Sequence, residues 1–324
     1  MIIIKVRNGI GNQLFAYAFG EYMKKKCQKQ EIRYDISELP QYVNGRYTIS
    51  FTEFVKDANI LSTTEVRRYL GKVLYFKRLK SNERKIIYIL ERKLVNHVRL
   101  FRDYELVKEP IESEEARQSF VDKMIKLQIE ENKNYVFDGF WEDIRYVEDV
   151  KNKIIENLNF NGVKIKEEYK QLIDKHELVT VHIRRGDYIN ESHSNNYPRY
   201  FYAYCDEKYY EIAIKMMENQ VTNPLFVFFS DDIEYVKNRY SDMKNKVIVE
   251  GQKDYEDLYL MTLCKHHIIA NSTFSFWGAY AAKQDGITVA PNIHYSYLKN
   301  KDSIWSKKFF EVPSWNYINV EDRI

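Results

Sequence analysis

The chain has 324 residues, of which 44% are hydrophobic and 30% are charged, so it is long enough for two globular domains with substantial cores. Its formal net charge of +3 argues against a dedicated nucleic-acid-binding protein, because such proteins usually carry a far larger basic excess. The few, widely spaced cysteines indicate reduced thiols, and no segment reaches the ~20 apolar residues of a membrane-spanning helix. We therefore expect a cytoplasmic protein that does not bind nucleic acid.

The N-terminal half begins with a predicted strand, a glycine turn and a helix. The apolar run "IIIKV" is typical of a buried strand and "RNGIG" of a turn, and helical periodicity follows through Leu14, Ala18 and Tyr22. A second strand is predicted at "EIRYD". Further on, "NYVFDGFWED" predicts a strand that ends in a loop, with a helix from Ile144 onward. We assign residues 1–162 to an N-terminal α/β domain.

A basic and aromatic segment at residues 67–102 interrupts this domain. Its helical spacing predicts a pair of surface helices whose Lys and Arg stems lie along apolar surface, within a helical insertion at about residues 61–108. A more specific interpretation is a patch that contacts the acceptor of a reaction or a membrane surface.

From about residue 163 the pattern becomes regular, because short apolar strands alternate with helical segments. The predicted strands are residues 179–183, 225–229, 246–249, 267–270 and 287–290. The predicted helices are residues 201–218, 233–239, 254–265 and 273–283. This alternation predicts a doubly wound parallel sheet covered by helices on both faces, and ligands of such sheets bind at the carboxyl ends of the strands. Residues 163–324 are assigned to this second α/β domain.

Two motifs at strand ends offer groups that bind anions. After the first strand, Gly9 and Gly11 allow a close backbone approach and the helix start offers free N–H groups, although an ordinary tight turn explains the same residues. In "HIRRGDY", Arg184 and Arg185 project to opposite sides of an extended segment, and guanidinium forks suit phosphate. A structural ion pair between one of them and Asp187 is the alternative interpretation.

Two further motifs follow later strands. In "ANSTFSFWGA", Asn271 or Ser272 is a good N-cap and Thr273 adds a second hydroxyl at a helix N-terminus, a feature that a cap alone would also explain. In "FSDD", Asp231 and Asp232 are either a metal-binding pair or the cap of the next helix. Two helix starts and an arginine pair together indicate a diphosphate held between two α/β domains, where fixed positive charge stabilises a diphosphate leaving group without a metal.

These same stretches carry a family resemblance. In order, "GIGNQLFAYA", "DGFWED", "HIRRGDY", "FSDD" and "ANSTFSFWGA" resemble the motifs of bacterial α-1,2-fucosyltransferases of glycosyltransferase family 11. The resemblance implies a GT-B-type fold, in which two Rossmann-like domains face a cleft and the C-terminal one binds GDP-fucose. It further implies inverting, metal-independent transfer of L-fucose to the 2-hydroxyl of a galactose-type acceptor, with no cofactor other than the donor.

Carried over residue by residue, the resemblance implies two sets of contacts. The candidate donor-binding residues are Gly11, Asn12, Gln13, His182, Arg184, Arg185, Ser230, Asp231, Asn271, Ser272, Thr273 and Phe274. The candidate acceptor-binding residues are Asp138, Trp141, Glu142 and Tyr188. Among the catalytic candidates, Arg185 is preferred over Arg184 for stabilising the departing β-phosphate, and Asp187 is preferred as the base that takes the acceptor proton. Asp138 and Glu142 are the reserve candidates for that base.

Three positions depart from the family pattern and leave the acceptor open. Asn8 stands where family members usually have glycine, Ala16 where they have glutamine and Phe276 where they have tryptophan. The alternatives are a related glycosyltransferase that uses another GDP-sugar or acceptor, a non-catalytic nucleotide-sugar-binding module, and a glycoside hydrolase with two carboxylates. A role in surface glycan or O-antigen synthesis on a lipid-linked acceptor would give the segment at residues 67–102 a reason to touch the inner membrane.

Overall fold

The computed structural model describes two parallel sheets, each covered by helices. The described residues are 1–39, 52, 55, 57–62, 64–66, 104–110, 114–158, 160, 162–186, 205–296, 304–306 and 310–320. Two of the predicted site residues, Asp187 and Tyr188, lie outside this set, as does the basic segment at residues 67–102.

The N-terminal sheet has four parallel strands in the order β2-β1-β4-β3. These strands are β1 (Ile2–Lys5), β2 (Ile32–Asp35), β3 (Tyr104–Lys108) and β4 (Asn134–Asp138). The helices of this half are α1 (Ile10–Lys26), α2 (Glu114–Lys126), α3 (Ile144–Glu148) and α4 (Lys151–Asn157). The crossover from β2 to β3 brings β4 next to β1, so the carboxyl ends of these two strands lie side by side.

The C-terminal sheet has six parallel strands in the order β12-β9-β8-β5-β6-β7. Its strands are β5 (Leu178–Ile183), β6 (Leu225–Ser230), β7 (Lys246–Ile248), β8 (His266–Ile268), β9 (Thr288–Pro291) and β12 (Asn316–Ile318). The helices are α5 (Glu167–Lys175), α6 (Glu207–Gln220), α7 (Ile233–Arg239), α8 (Asp254–Leu263) and α9 (Thr273–Tyr280). Read from β7, this is the doubly wound Rossmann order, with its switch point between β5 and β8.

The predicted doubly wound sheet is therefore confirmed, and β10 (Ile293–Ser296) and β11 (Ile304–Ser306) add only a small antiparallel pair outside it. The helix predicted at residues 201–218 corresponds to α6, and residues 201–204 lie outside the described set. The helix begins at Glu207, because the side chain of Asp206 accepts a hydrogen bond from the backbone N–H of Tyr209 and so caps it.

The predicted helical insertion at about residues 61–108 was wrong at its C-terminal end. Residues 104–108 form β3, which is the edge strand of the N-terminal sheet and pairs in parallel with β4. The sequence "YELVK" carries no helical stripe of its own, and pairing with β4 satisfies its backbone along one side. The basic composition of the preceding segment led to a helical prediction for this short strand.

The two halves share a hydrophobic core where α1 meets α9. The ring of Phe15 on α1 lies 5.2 Å from that of Phe276 on α9 and 5.7 Å from that of Phe310, measured between centroids. Trp277 completes this group at 5.1 Å from Phe15. Since α1 begins at the carboxyl edge of one sheet and α9 at that of the other, this packing brings the two carboxyl edges together. Within the described ranges, no helix is both long and apolar enough to cross a membrane.

Candidate functional site

The arginine pair lies at the carboxyl end of β5, next to the switch point. Arg184 Nη1 is 3.0 Å from Asp231 Oδ2, and Arg185 Nε is 3.2 Å from Asp232 Oδ2. The guanidinium of Arg185 also lies over the ring of Tyr235 on α7, 3.5 Å from its centroid. Both arginines are thus held by the acids that follow β6, and Asp187 is not needed to explain an ion pair here.

The "FSDD" acids serve as arginine partners and as a helix cap. Asp232 caps α7 by accepting from the backbone N–H of Tyr235, and the hydroxyl of Ser230 accepts from the N–H of Asp232 at 3.0 Å. Asp231 also accepts from the backbone N–H of Arg185 at 2.9 Å, which fixes the turn after β5. The capping interpretation is confirmed. No cluster of His, Cys, Asp and Glu suited to a metal ion occurs among the residues described here.

His182 is buried beneath the arginines, on the side of α9. Its ring centroid lies 5.4 Å from that of Phe274, in the first turn of α9. Burial, followed by the positive charge of Arg184, lowers the pKa of His182 to about 3, so the ring is neutral at physiological pH. Arg184 lies close enough to His182 for its charge to act on that ring, and His182 packs against Phe274 of α9, whereas Arg185 lies over Tyr235 of α7.

The first turn of α9 lies at the switch point and carries no acidic residue. Ser272 is its N-cap and accepts from the backbone N–H of Phe274 at 3.3 Å, as predicted for this position. Asn271 is buried just before it, with the thiol of Cys205 3.6 Å from its amide oxygen. The Thr273 hydroxyl donates to Asn12 Oδ1 at 3.0 Å, so its hydrogen is used across the two halves and not on a ligand.

The N-terminus of α1 touches the N-terminus of α9. A Cβ atom added at Gly11 would lie 2.5 Å from the backbone carbon of Thr273 and 2.6 Å from the backbone nitrogen of Phe274, so only glycine permits this approach. Asn8 has a φ of 58°, a conformation that asparagine tolerates, and its carbonyl accepts from the side chain of Gln13. Asn8 therefore adopts the backbone conformation expected of the glycine that family members usually have at this position.

A charge network fills the carboxyl edge of the N-terminal sheet. Arg7 Nη1 is 2.5 Å from Asp138 Oδ1, Arg7 Nε is 2.8 Å from Glu38 Oε2, and Lys5 Nζ is 2.6 Å from Glu38 Oε1. Burial alone would raise the pKa of Glu38, but Lys5 and Arg7 outweigh it and lower that pKa to about 2. Of these four, only Asp138 was singled out from the sequence. The position of Lys5 and Arg7 at the end of the first strand was the available signal.

Trp141 lies in the core, which argues against its predicted contact with the acceptor. Its side chain is 0% exposed and stacks on Phe19 with 4.0 Å between ring centroids. Glu142 is also buried, and its carboxylate accepts from the side-chain amide of Asn12 instead of facing an open cleft. Ala16 and Phe276, two of the departures from the family pattern, are buried in the shared core.

A family model described as Glycosyl transferase family 11 matches residues 1–319 of the chain. The chain belongs to this family. It is therefore a glycosyltransferase, related to enzymes that build α-1,2-linked glycans.

Relatives of this family 11 chain include an Escherichia coli "Alpha-1,2-colitosyltransferase", 31% identical over 90% of this chain and 91% of the relative. The E. coli "O-antigen biosynthesis glycosyltransferase WbnK" is 26% identical over 87% and 91% of the two chains. The human "Galactoside alpha-(1,2)-fucosyltransferase 1" is 30% identical over 44% of this chain and 39% of its own.

A solved structure supports the fold. The NodZ alpha-1,6-fucosyltransferase, in a crystal soaked with GDP-fucose, matches with a TM-score of 0.50 over 88% of this chain and 94% of that one. At 14% identity the match concerns the fold alone. The two-domain GT-B architecture predicted from the sequence is confirmed.

Proposed function

We propose that this family 11 chain transfers L-fucose from GDP-fucose to the 2-hydroxyl of a galactose-type acceptor, with inversion and without a divalent metal. The acceptor hydroxyl attacks the anomeric carbon on the face opposite GDP, and the C1–O bond to the β-phosphate breaks. The diphosphate leaves with its electron pair, and its growing charge must be stabilised as the bond breaks. We place the boundary between the acceptor-side and donor-side domains at residues 162 and 163.

The observation that carries this proposal is the meeting of α1 and α9 at the end of β5. Neither helix has an acid in its first turn, a feature that they share with the short helices α3 and α4, whereas α2, α5, α6, α7 and α8 each have one. The positive ends of these two helix dipoles are therefore not neutralised by their own side chains. With Arg184 next to His182, which packs against the first turn of α9, they favour an anion with several charges, as a diphosphate is.

The contacts favour Arg184 over Arg185 as the residue that binds the diphosphate, which reverses the preference drawn from the sequence. Arg184 is near His182, which packs against Phe274 of α9, whereas the guanidinium of Arg185 rests on Tyr235 and pairs with Asp232. We therefore assign Arg185 the task of bracing the turn. Asp187 remains the proposed base, and Asp187→Asn should lower kcat without weakening GDP binding.

A second donor is favoured by one relative. The chain is 31% identical to an enzyme named for colitose, over 90% of its length. Colitose is L-fucose without the 3-hydroxyl, so the two donors share the GDP moiety and differ at one position of the sugar. A site that hydrogen-bonds the 3-hydroxyl would reject the deoxy sugar strongly, whereas an apolar pocket there would discriminate only weakly.

The experiment is GDP release from GDP-fucose and from GDP-colitose, in excess EDTA, with and without a β-galactoside. Acceptor-dependent release from GDP-fucose that exceeds release from GDP-colitose, and is unaffected by EDTA, is the expected result. Faster release from GDP-colitose would mean that GDP-colitose is the donor, and the proposed transfer reaction would otherwise stand. GDP binding without release for any galactoside would contradict the acceptor, and loss of release in EDTA would contradict metal independence.

The basic segment is proposed to contact the inner membrane surface, where a lipid-linked acceptor would lie. Residues 67–102 combine many Lys and Arg residues with aromatic and aliphatic ones, a composition that favours anionic lipid surfaces. Liposome flotation should recover the protein with vesicles that contain anionic lipid and not with neutral ones. Failure to float with either would end this proposal and leave the transferase assignment intact.

A further inference from the structure

A line of polar contacts crosses from the N-terminal half to the start of α9. The carboxylate of Glu142 accepts from the side-chain N–H of Asn12, in the first turn of α1. Asn12 Oδ1 in turn accepts from the hydroxyl of Thr273, in the first turn of α9, at 3.0 Å. Glu142 is 2% exposed, so this carboxylate sits beneath α1 and is shielded from solvent.

A buried ion pair holds Glu142 in this place. Arg117 on α2 is 1% exposed; its Nε lies 3.1 Å from Glu109 Oε1, and its Nη2 donates to the backbone carbonyl of Glu142 at 2.8 Å. The other oxygen of Glu109 accepts from the backbone N–H groups of Phe140 and Trp141, at 2.6 and 2.9 Å. The turn between β4 and α3 is thereby fixed on both sides of Glu142.

The backbone of this turn shows how closely it is determined. Trp141 has a φ of 58°, which is unusual for a bulky aromatic residue and persists only where its surroundings enforce it. A Cβ at Gly139 would lie 2.5 Å from Cβ of Glu109, so this position accepts only glycine. The constrained backbone of this turn fixes the direction of the buried Glu142 carboxylate.

We propose that Glu142 is a positioning residue that sets the two helix N-termini for the donor diphosphate. Its carboxylate fixes the orientation of the Asn12 amide, with nitrogen towards Glu142 and oxygen towards Thr273. The Thr273 hydroxyl then donates its hydrogen bond to Asn12, and this contact holds α1 and α9 at a fixed separation. The backbone N–H groups of both helices stay directed at one site instead of two.

This inference rests on the proposed function, because the ligand that the two helix ends bind is taken to be the GDP diphosphate. It assigns Glu142 a role different from acceptor binding or general base catalysis. A base must reach the acceptor hydroxyl, directly or through one water. The Glu142 carboxylate is instead engaged with Asn12 at the contact between the two halves.

The test is a double-mutant cycle between the two halves, read as GDP affinity by titration calorimetry with no acceptor present. Glu142→Met and Thr273→Val keep the side-chain volumes and remove the polar contacts. Each should weaken GDP binding about tenfold, and the double variant should be no weaker than the worse single one, because both break the same line of contacts. Additive losses, or unchanged GDP affinity in Glu142→Met, would overturn the proposal.

Glu142→Gln separates positioning from catalysis, because glutamine keeps an oxygen that can accept from Asn12. It should restore most of the GDP affinity lost in Glu142→Met and keep kcat within about tenfold of the parent, whereas removal of a general base costs on the order of 100-fold or more. A collapse of kcat at normal GDP affinity would make Glu142 a catalytic residue and contradict positioning.

A folding check and the parent protein complete the design. Thermal unfolding of each variant shows that it is folded before its affinity is interpreted, and Asn12→Leu with Thr273→Val provides a second cycle if Glu142→Met does not fold. A parent that fails to bind GDP would overturn the proposed function together with this inference. A parent that binds GDP and transfers sugar, but shows an additive cycle, would overturn this inference alone.

Discussion

The carboxyl edges of the two sheets carry similar residues in different arrangements. At the N-terminal edge, Lys5 and Arg7 share Glu38 and Asp138 in one closed network. At the C-terminal edge, the two arginines take separate acids, Asp231 and Asp232. A closed network of two cations and two carboxylates offers paired polar groups, which suit sugar hydroxyls. An arginine beside helix ends without acids offers positive charge, which suits a diphosphate.

The largest expected effect concerns stability at the N-terminal edge. Arg117→Met should lower the free energy of unfolding by about 3–5 kcal/mol, because it leaves the buried Glu109 carboxylate without its partner. Chemical denaturation measures this loss. The double variant Arg117→Met with Glu109→Gln is the matched control and should recover part of it, since the carboxylate that lost its cationic partner is then replaced by a neutral amide. Equal losses in the two proteins would contradict this account of the turn.

The second effect separates the arginines by turnover. Arg184→Lys should lower kcat about 100-fold or more, because a point charge cannot reproduce a fork directed at a developing anion. Arg185→Lys should cost less, as it loosens the turn without removing the contact. Arg7→Lys is the counterpart at the other edge and should change the KM of the acceptor more than that of the donor. Equal kcat losses in the Arg184 and Arg185 variants would show that both bind the diphosphate.

The third effect tests the contact between the two edges. Gly11→Ala should destabilise the fold by about 1–3 kcal/mol, because the new methyl group overlaps the backbone of α9 and forces the helices apart. GDP affinity should fall in the same variant, since the two helix ends no longer converge. Calorimetry and thermal unfolding measure the two consequences. A variant with lower stability but parental GDP affinity would mean that one helix end binds the anion alone.

The last effect is a pH dependence of stability, which develops only below neutral pH. Burial lowers the pKa of both His182 and His267 to about 3, so the unfolded chain binds more protons than the fold below about pH 6.5. Stability should therefore fall as pH drops from 6.5 towards 3, by up to about 1.4 kcal/mol per pH unit for each histidine. Asp257 opposes this between its unfolded pKa and about 6, because burial raises its pKa to that value in the fold.

Urea denaturation at pH 7 and pH 5 measures this slope. His267→Gln should reduce the loss of stability between the two pH values. Glutamine does not take up a proton, so the unfolded chain of this variant binds one proton fewer at pH 5. Asp257→Asn should make the loss steeper, because it removes the opposing contribution. An unchanged slope in His267→Gln would mean that the buried ring is not held neutral.

The sequence was sufficient for the C-terminal sheet and for the residues at its carboxyl edge. Apolar strands buried on both faces and caps such as Ser272 and Asp232 are local signals, so they could be read without the fold. The partners of Arg184 and Arg185 could not be predicted, because Asp231 and Asp232 follow a different strand and pairing depends on strand order. Only the nearness of Arg184 to His182, and of His182 to Phe274, indicates which arginine lies on the side of α9.

The N-terminal half was harder to predict because its signals are not local. Trp141 and Glu142 stand in a polar, aromatic stretch that is typical of a sugar site, yet a turn with positive φ directs both inward. Nothing in the sequence near them indicates Arg117, which is 24 residues before Trp141 in the chain and holds the turn through Glu109. The strand β3 was concealed by the basic composition that precedes it.

The aromatic core between α1 and α9 has a consequence for how the chain folds. Phe15 is packed by Phe310, almost 300 residues later in the sequence. During synthesis, the first helix therefore waits with an exposed aromatic face until the last part of the second domain has left the ribosome. Contacts of such long sequence separation slow folding and leave apolar surface open to aggregation. The two domains are separate in architecture but must mature as one unit.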